Sequence, residues 1–319
     1  MILEKNRGEY AACRIPALIR TAEGALIGAY ECRRGSDSDW AQIDLKLIRS
    51  EDGGESWQTV ALFCGEGKTQ NNPVLFAEGT RVLLLFCKSY AELWLSVSCD
   101  GGRSFAPPHP VRLEGADFFY NAVAVGPGHG LSVGGRLITP VWFAYNREDP
   151  HAHRPSFIAT LYSEDGGECW QMGERLDCAE LVNPSECALA VAANGRVMIS
   201  IRNENEQRLR ALSFSRSGVE GWEKPRLCSL LPDPVCEGSL TAWGDTVYHV
   251  NCESQTEREA LTVKASRDGF ASVCRTYPVA AQGGYADIAT DGESLFVLYE
   301  QNVLSEDGAL CFARRPIAP

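Results

Sequence analysis

Arginine is the residue type that first suggests chemistry in this chain of 319 residues. The sequence contains 24 arginines but only 6 lysines. A guanidinium group is a planar, permanently charged fork that matches the shape of a carboxylate, whereas the lysine ammonium is a point charge. Codon usage can also raise an arginine total, so the positions of individual arginines carry more information than their number. Binding of a small carboxylate is the chemistry that these residues could perform.

Cysteine and histidine, in contrast, do not indicate a metal site. Thirteen cysteines are scattered along the chain without a Cys-x-x-Cys pair or a Cys/His cluster at zinc spacing. His129, His151 and His153 invite a metal interpretation, but the His-x-His pair lies in a loop rich in proline and arginine without further ligands. We therefore expect no metal and no cofactor, and free, mostly buried thiols rather than a disulfide framework.

The overall charge argues against large anionic partners. Thirty basic and 42 acidic residues give a net charge of -12. Nucleic acids and anionic membranes require a net or strongly clustered positive field, so we expect neither as a partner, and we expect a monomer or weak oligomer. The apolar content of 45% indicates a globular chain with a large core.

The first twenty residues do not resemble a secretory signal. They carry acidic and basic side chains where a signal peptide needs an apolar stretch, and no run approaches the roughly 18 apolar residues of a membrane span. We therefore expect a cytoplasmic protein. A secreted form with a trimmed leader would have the same sequence and stays an alternative.

One octapeptide recurs and indicates how the chain is organised. Its copies are residues 50–57 (SEDGGESW), 98–105 (SCDGGRSF) and 163–170 (SEDGGECW), with eroded copies at 215–222 and 266–270. The copies recur about every 50 residues, which is typical of blades or solenoid units. Asp and Gly favour a tight turn that the closing aromatic residue packs against. We expect these turns to be structural and to perform no chemistry.

Short strand-like runs flank the octapeptides. They are residues 43–48, 93–97 and 157–162 directly before the first three copies, and 81–87, 135–143, 195–201 and 294–300 elsewhere. No long helical periodicity is present. Four-stranded units of about 50 residues predict an all-β fold, a six-bladed β-propeller, with residues 1–319 as a single catalytic domain.

The octapeptide pattern S-x-D-x-G-x-x-W is the Asp-box, or BNR repeat, and a propeller that carries it after an Arg-Ile-Pro motif resembles the sialidase (neuraminidase) family. Other segments match this family in the expected order from about residue 10 to residue 300. They are 13–18 (CRIPAL), 31–45, 125–130 (VGPGHG), 135–140 (GRLITP), 183–191, 194–203, 231–239, 284–288 and 298–300. Two departures are Cys13, where the family has Phe, and the sequence Asn-Pro-Ser-Glu, where it has Asn-Glu.

The resemblance implies a set of substrate-binding residues. Arg14, Arg202 and Arg258 match the three arginines with which the family holds the carboxylate of sialic acid. Arg33 matches a further arginine that contacts the substrate, and Glu300 matches the glutamate that steadies Arg14. Charge-assisted bonds from three guanidinium groups explain why such a cluster exists, because without an anion the three charges would repel one another.

The resemblance also implies three catalytic residues and a retaining mechanism. Asp39 matches the acid/base, and Asp37 is a less favoured alternative because the spacing to Asp44 fits Asp39. Tyr285 matches the nucleophile and Glu186 the base that activates it. A neutral phenol avoids the repulsion that a carboxylate nucleophile would meet beside the substrate carboxylate, but its pKa near 10 requires an adjacent base.

These matches predict an exo-α-sialidase that hydrolyses terminal α-linked sialic acid from sialylated glycans. Two other functions stay open at this point: a propeller that binds sialic acid without hydrolysis, and a structural propeller with no sugar site. An enzyme specific for the deaminated nonulosonic acid is a further alternative. We expect the loop 145–155 to border the pocket and Trp40, Phe119 or Trp142 to form its walls.

Overall fold

The computed structural model describes residues 1–302 and 307–317. Within these ranges the chain forms 26 β-strands and no helix, so none of the described residues belongs to a helix that could span a membrane. The strands are β1 (Ile2–Lys5), β2 (Tyr10–Arg20), β3 (Leu26–Arg34), β4 (Gln42–Ser50), β5 (Gln58–Phe63), β6 (Gln70–Glu78), β7 (Arg81–Lys88), β8 (Glu92–Ser98), β9 (His109–Glu114), β10 (Ala122–Val125), β11 (Gly128–His129), β12 (Leu131–Val133), β13 (Arg136–Ala144), β14 (Ser156–Ser163), β15 (Cys169–Met172), β16 (Cys187–Val191), β17 (Val197–Ile201), β18 (Leu209–Ser215), β19 (Arg226–Pro232), β20 (Ser239–Trp243), β21 (Thr246–Cys252), β22 (Glu259–Ser266), β23 (Arg275–Gln282), β24 (Ala286–Thr290), β25 (Ser294–Gln301) and β26 (Ala309–Pro316).

Antiparallel pairing joins most of these strands in consecutive groups of four. Separate sheets are formed by β2 to β5, by β16 to β19, by β20 to β23, and by β24 to β26 together with β1. A larger sheet of ten strands contains the groups β6 to β9 and β10, β13, β14, β15, which are joined by parallel pairing of β15 with β9. The predicted all-β fold is confirmed.

The strands that the sequence predicted are present. Each of the seven predicted runs overlaps an observed strand, namely β4, β7, β8, β13, β14, β17 and β25. Several are buried on both faces, and β7 buries all of its residues except the two at its ends. Sheets that pack on both faces produce continuous apolar runs rather than strict alternation, which is why these segments stand out in the sequence.

The Asp-boxes are turns between the third and fourth strands of a group. In the copy that joins β14 to β15, the Ser163 hydroxyl donates to Asp165 Oδ1 at 2.8 Å and accepts from the Gly167 amide at 2.9 Å. The indole of Trp170 donates to the Gly167 carbonyl at 2.8 Å and is fully buried. Gly167 has φ of 100°, a conformation that a Cβ would disfavour. The motif therefore fixes one end of each group that carries it.

Apolar clusters pack one group of strands against the next. Leu45 and Leu47 in β4 share a cluster with Leu84 and Phe86 in β7. At the other end of the chain, Leu298 in β25 packs in one cluster with residues of β2 and β3. The last group of strands thus contacts the first, and the inner strands β2, β6, β16, β20 and β24 come together around a common centre.

A buried carboxylate joins several of these inner segments. Asp287 in β24 accepts hydrogen bonds from the Leu18 amide of β2 at 2.7 Å, from His129 Nδ1 of β11 at 2.8 Å and from the Ser239 hydroxyl of β20 at 2.6 Å. Burial opposes a charge on His129, but the Asp287 carboxylate outweighs it and raises the histidine pKa. This network connects β2, β11, β20 and β24 at a carboxylate only two residues after Tyr285.

The outer strand of the last group comes from the beginning of the chain. Strand β1 pairs antiparallel with β26, with Ile2 opposite Cys311 and Lys5 opposite Ala309. The amino group of Met1 donates to the Phe312 carbonyl at 2.7 Å. Two segments separated by about 300 residues therefore complete a single four-stranded sheet.

Candidate active site

A cavity of about 630 Å³ opens where the inner strands and their loops meet. Its lining comes from different groups of strands and includes seven of the predicted site residues: Arg14, Arg33, Asp39, Glu186, Arg202, Arg258 and Tyr285. Glu300, the eighth, is fully buried next to Arg14. The structure therefore brings together residues that lie up to 286 positions apart in the sequence.

A phenol and a carboxylate form the centre of this cavity. The hydroxyl of Tyr285 donates to Glu186 Oε1 at 2.6 Å. Arg202 donates to the Tyr285 oxygen at 2.5 Å and forms an ion pair with Glu186. Burial raises the pKa of Tyr285 well above its usual value, although the surrounding guanidinium groups partly offset this effect. The phenol is therefore neutral, and Glu186 is the group placed to accept its proton.

Three guanidinium groups converge on the same tyrosine. Their central carbons lie 5.2 Å (Arg14), 5.8 Å (Arg202) and 5.2 Å (Arg258) from the centre of the Tyr285 ring. These distances place three permanent positive charges around one phenol, on the scale of cation–π contacts. Such a cluster has the charge and geometry to hold a small anion directly beside the Tyr285 hydroxyl.

A strained segment of β2 aims Arg14 into the cavity. Ile15 has φ of 56°, a left-handed conformation that is costly for a β-branched residue, and the pairing of β2 with β3 shifts register here. The Ile15 amide donates to Glu300 Oε1 at 2.8 Å, and Arg14 Nε lies 3.2 Å from the same oxygen. The Glu300 carboxylate thus holds both the strained backbone and the guanidinium.

The Asp39 carboxylate lies at the edge of the arginine cluster. Its Oδ1 is 2.7 Å from Arg33 and 4.0 Å from Arg14, and its Oδ2 is 4.0 Å from His153 Nδ1. Burial would raise the pKa of Asp39, but the charges of Arg33 and Arg14 outweigh it and lower this pKa. Asp37 contributes only its backbone carbonyl to Arg33, at 2.5 Å. The geometry favours Asp39 over Asp37 as the carboxylate that faces a ligand.

Arg33 is held in position by an ion pair with the buried carboxylate of Glu31. It is only 1% exposed and forms an ion pair at 2.7 Å with the fully buried Glu31. The other oxygen of Glu31 accepts from the Asn72 amide at 2.9 Å, and Asn72 itself has φ of 55°. Burial is the main influence on Glu31 and raises its pKa. Arg33 therefore has a fixed position from which it orients Asp39.

Aromatic side chains form the wall opposite the arginines. The rings of Trp40, Tyr90 and Trp142 surround His153, whose ring centre is 4.8 Å from that of Tyr90 and 5.1 Å from that of Trp142. Trp40 and Trp142 line the cavity as expected. The expectation for Phe119 is wrong, because this residue lines a separate cavity. The segment from β9 to β10 that carries it is hydrogen-bonded to the 145–155 loop through Asn121.

Sequence reasoning missed several residues that shape the site. Tyr90, Asn72 and Glu204 line the cavity, but they lie in segments without a recognisable motif. The loop 145–155 was expected to border the pocket, and His151, Ala152, His153 and Arg154 do so. The sequence thus predicted which loop lies near Asp39, but it did not predict that His153 is the residue of this loop that approaches Asp39.

Cys236 and Cys252 lie close to the site, in one buried cluster with Ile15 and Tyr285. All thirteen cysteines are free thiols. Within residues 1–302 and 307–317, no group of three or more histidine, cysteine, aspartate or glutamate side chains has the geometry to hold a metal ion.

The chain is similar to known proteins over most of its length. Residues 24–277 match the family described as BNR repeat-like domain. A sialidase of Bacteroides fragilis is 26% identical over an alignment that covers 92% of this chain and 60% of that protein. An exo-alpha-sialidase of Arthroderma benhamiae is 23% identical, with 92% and 79% covered. The chain therefore spans 60% of the length of the first of these relatives, which is less than two thirds.

Solved structures agree on the fold. The Hadza microbial sialidase Hz136 superposes with a TM-score of 0.81 at 22% identity, covering 97% of this chain and 66% of that one. A Trypanosoma rangeli sialidase gives a TM-score of 0.72 at 18% identity, covering 97% and 55%. The resemblance to sialidases that the sequence motifs predicted is confirmed.

Proposed function

The chain belongs to the family of BNR repeat-like domains, and we propose that it is an exo-α-sialidase, a glycoside hydrolase that releases terminal α-linked sialic acid from glycans with retention of configuration. The observation that carries this proposal is the convergence of three guanidinium groups on one tyrosine whose hydroxyl lies 2.6 Å from a carboxylate. Sialic acid bears a carboxylate on its anomeric carbon, so the group to be held and the atom to be attacked are adjacent.

The arginine cluster binds the substrate carboxylate. Glu300 offsets the charge of Arg14, and Glu186 offsets that of Arg202. Arg258 has no ion pair among the described residues. A bound carboxylate supplies the missing negative charge and accepts charge-assisted hydrogen bonds from all three groups. Binding in this way sets the anomeric carbon beside Tyr285.

The first chemical step forms a glycosyl–enzyme intermediate. The oxygen of Tyr285 attacks the anomeric carbon and passes its proton to Glu186. The bond from that carbon to the glycosidic oxygen breaks, and Asp39 donates its proton to the departing oxygen. A tyrosine nucleophile is a known exception to the use of two carboxylates in glycosidases.

The second step returns the enzyme to its starting state. The Asp39 carboxylate takes a proton from water, and the water oxygen attacks the anomeric carbon. The bond to Tyr285 breaks, and the phenol regains its proton from Glu186. Two successive inversions at one carbon leave the configuration of the released sugar unchanged.

The low pKa of Asp39 fits an acid that becomes effective only after substrate binds. Without substrate, Arg33 and Arg14 favour its carboxylate form. A substrate carboxylate at Arg14 offsets one of these charges, which raises the pKa of Asp39 and favours the protonated form that the first step requires. The same anion that is recognised therefore prepares the acid.

The architecture supports a single-domain, six-bladed β-propeller around this site. The consecutive groups of four strands correspond to blades, and the pairing of β15 with β9 joins two of them into the larger sheet. The last group packs on the first, as closure of a ring requires. A central cavity lined by several groups of strands is a usual ligand site of such a ring.

Hydrolysis of a fluorogenic aryl sialoside and of a sialylated oligosaccharide tests the proposal. Tyr285→Phe should lose at least about 1,000-fold in kcat on both substrates. Asp39→Ala should lose far more on the oligosaccharide than on the aryl sialoside, because an aryl oxygen needs little protonation to depart. Mass spectrometry of the wild type quenched during turnover should detect one sialyl residue on Tyr285.

Tyr162→Phe is the matched control, because the hydroxyl of this tyrosine donates a hydrogen bond to Gln171 outside the cavity. Removing that hydroxyl should leave turnover unchanged. Full activity of Tyr285→Phe would disprove the tyrosine nucleophile. Failure of the wild type to cleave any sialoside would disprove the enzymatic function itself.

A further inference from the structure

A second cavity, of about 430 Å³, lies beside the beginning of the 145–155 loop. Its lining is mainly aromatic and carries two arginines: Phe118, Phe119, Tyr145, Arg147, Phe157, Met172 and Arg175. We call it the aromatic cleft. Phe118, Phe119 and Tyr145 are 37%, 44% and 39% exposed. Large aromatic side chains that stay in contact with water at one place commonly mark a binding surface.

The aromatic cleft connects to the candidate active site through shared residues. A smaller cavity of about 300 Å³ shares Tyr145 and Arg175 with the cleft and Asn183 with the active-site cavity. A ligand bound at the active site could therefore extend along this route without crossing the protein interior.

The position of Asp39 indicates which part of a substrate would follow that route. Asp39 lies 4.0 Å from His153, and the indole of its neighbour Trp40 donates to the His151 carbonyl at 3.2 Å. The glycosidic oxygen that Asp39 protonates must therefore lie against the 145–155 loop. The leaving group begins at that oxygen, so its first atoms meet a loop whose residues line both the active site and the aromatic cleft.

The loop between the two cavities is held in place by two asparagines. Asn121 donates from its side chain to the Ala152 carbonyl at 2.7 Å and accepts from the Asn146 amide at 2.7 Å. Asn146 donates to the Arg154 carbonyl at 2.8 Å. A surface that is fixed before the ligand arrives costs little ordering entropy on binding.

The charges of the cleft suit a ligand rich in hydrogen-bond acceptors. The Arg147 guanidinium lies 4.4 Å from the centre of the Phe119 ring and has no ion pair within the described part of the chain. Arg175 lies 4.1 Å from the centre of the Phe157 ring and is paired with Asp177 at 2.8 Å. An apolar floor with guanidinium donors at its edge matches a sugar, which has an apolar C–H face and a rim of oxygen atoms.

We propose that the aromatic cleft is a subsite for the oligosaccharide leaving group, where sugar rings beyond the one attached to the terminal sialic acid pack on Phe118 and Phe119 and their oxygens accept hydrogen bonds from Arg147. This inference rests on the proposed sialidase function and adds a determinant of substrate choice. A volume of about 430 Å³ accommodates one or two sugar rings. The subsite makes the enzyme prefer sialylated oligosaccharides over sialosides with a small leaving group.

The test compares kcat/KM of Phe119→Ala and Arg147→Gln on two kinds of substrate. On a fluorogenic aryl sialoside, which ends before the cleft, both variants should stay within twofold of wild type. On sialylated tri- to pentasaccharides, kcat/KM should fall 5- to 20-fold for the members that reach the cleft. The asialo-oligosaccharide product should inhibit wild type more strongly than either variant.

Trp243→Ala and Arg112→Gln are matched controls, because these residues are also exposed and lie outside all three cavities. They should leave both kinds of substrate unaffected, and thermal melting checks that every variant folds. Equal losses on aryl and oligosaccharide substrates, or no loss on any oligosaccharide, would overturn the subsite. An inactive wild type on the aryl sialoside would instead remove the function on which the inference rests.

Discussion

Replacing Arg258 with methionine should remove most of the activity and leave the protein as stable as before. Arg14 and Arg202 each have a carboxylate partner in the protein, whereas Arg258 has no ion pair among the described residues. Methionine keeps most of the side-chain length and removes only the charge. The matched variant Arg14→Met takes away the same charge, but it leaves the fully buried Glu300 without its ion-pair partner.

The size of each effect follows from these surroundings. A charge-assisted hydrogen bond to a substrate carboxylate contributes about 1.5–3 kcal/mol, which corresponds to a loss of about 10- to 150-fold in kcat/KM. Breaking a buried ion pair costs about 3–5 kcal/mol of stability. We therefore expect Arg14→Met to lose activity and several degrees of melting temperature, and Arg258→Met to lose activity only.

Two measurements on the same preparations decide the matter: kcat/KM on a fluorogenic sialoside and the melting temperature by calorimetry. A melting temperature of Arg258→Met as low as that of Arg14→Met would mean that Arg258 has a structural partner. Unchanged kcat/KM in Arg258→Met would mean that this arginine does not bind the substrate carboxylate. Either result would refute the reasoning.

Two further predictions concern pH. The raised pKa of His129 beside Asp287 means that the pair stabilises the folded state below the unfolded histidine pKa of about 6.5, and that this stabilisation is lost as pH rises through the higher folded pKa. Urea unfolding from pH 5 to 9 should thus show a stability advantage of wild type over His129→Gln that shrinks at high pH, and a constant difference would contradict the pair. In kinetics, the alkaline limb of kcat should lie at higher pH than that of kcat/KM, because bound substrate raises the pKa of Asp39. Coincident limbs would show that substrate does not act on Asp39.

Local patterns in the sequence predicted much of the fold and of the site. The Asp-box copies identified turns between strands because Asp165 and Gly167 make their contacts within eight residues. Apolar runs identified strands such as β7 because a strand that is buried on both faces needs apolar side chains at successive positions. Motif order located Tyr285 and Glu186, which then proved to be hydrogen-bonded.

Contacts between distant segments could not be predicted from the sequence. The pairing of β15 with β9 and of β1 with β26 depends on strand register across long separations, which no short motif specifies. The prediction for Phe119 was wrong because the sequence does not show which cavity an aromatic side chain in a loop will line. His153 near Asp39 results from the packing of two loops that are 114 residues apart in the sequence.

The pairing of β1 with β26 has a consequence for synthesis. About 300 residues separate these strands, and at 5–20 residues per second a ribosome needs roughly 15–60 seconds to make the intervening chain. Throughout that time β1 has no partner, and the hydrogen-bonding edge that it will cover does not yet exist. The last sheet of the nascent protein therefore stays incomplete during this time, and any chaperone that assists it would act before that sheet is completed.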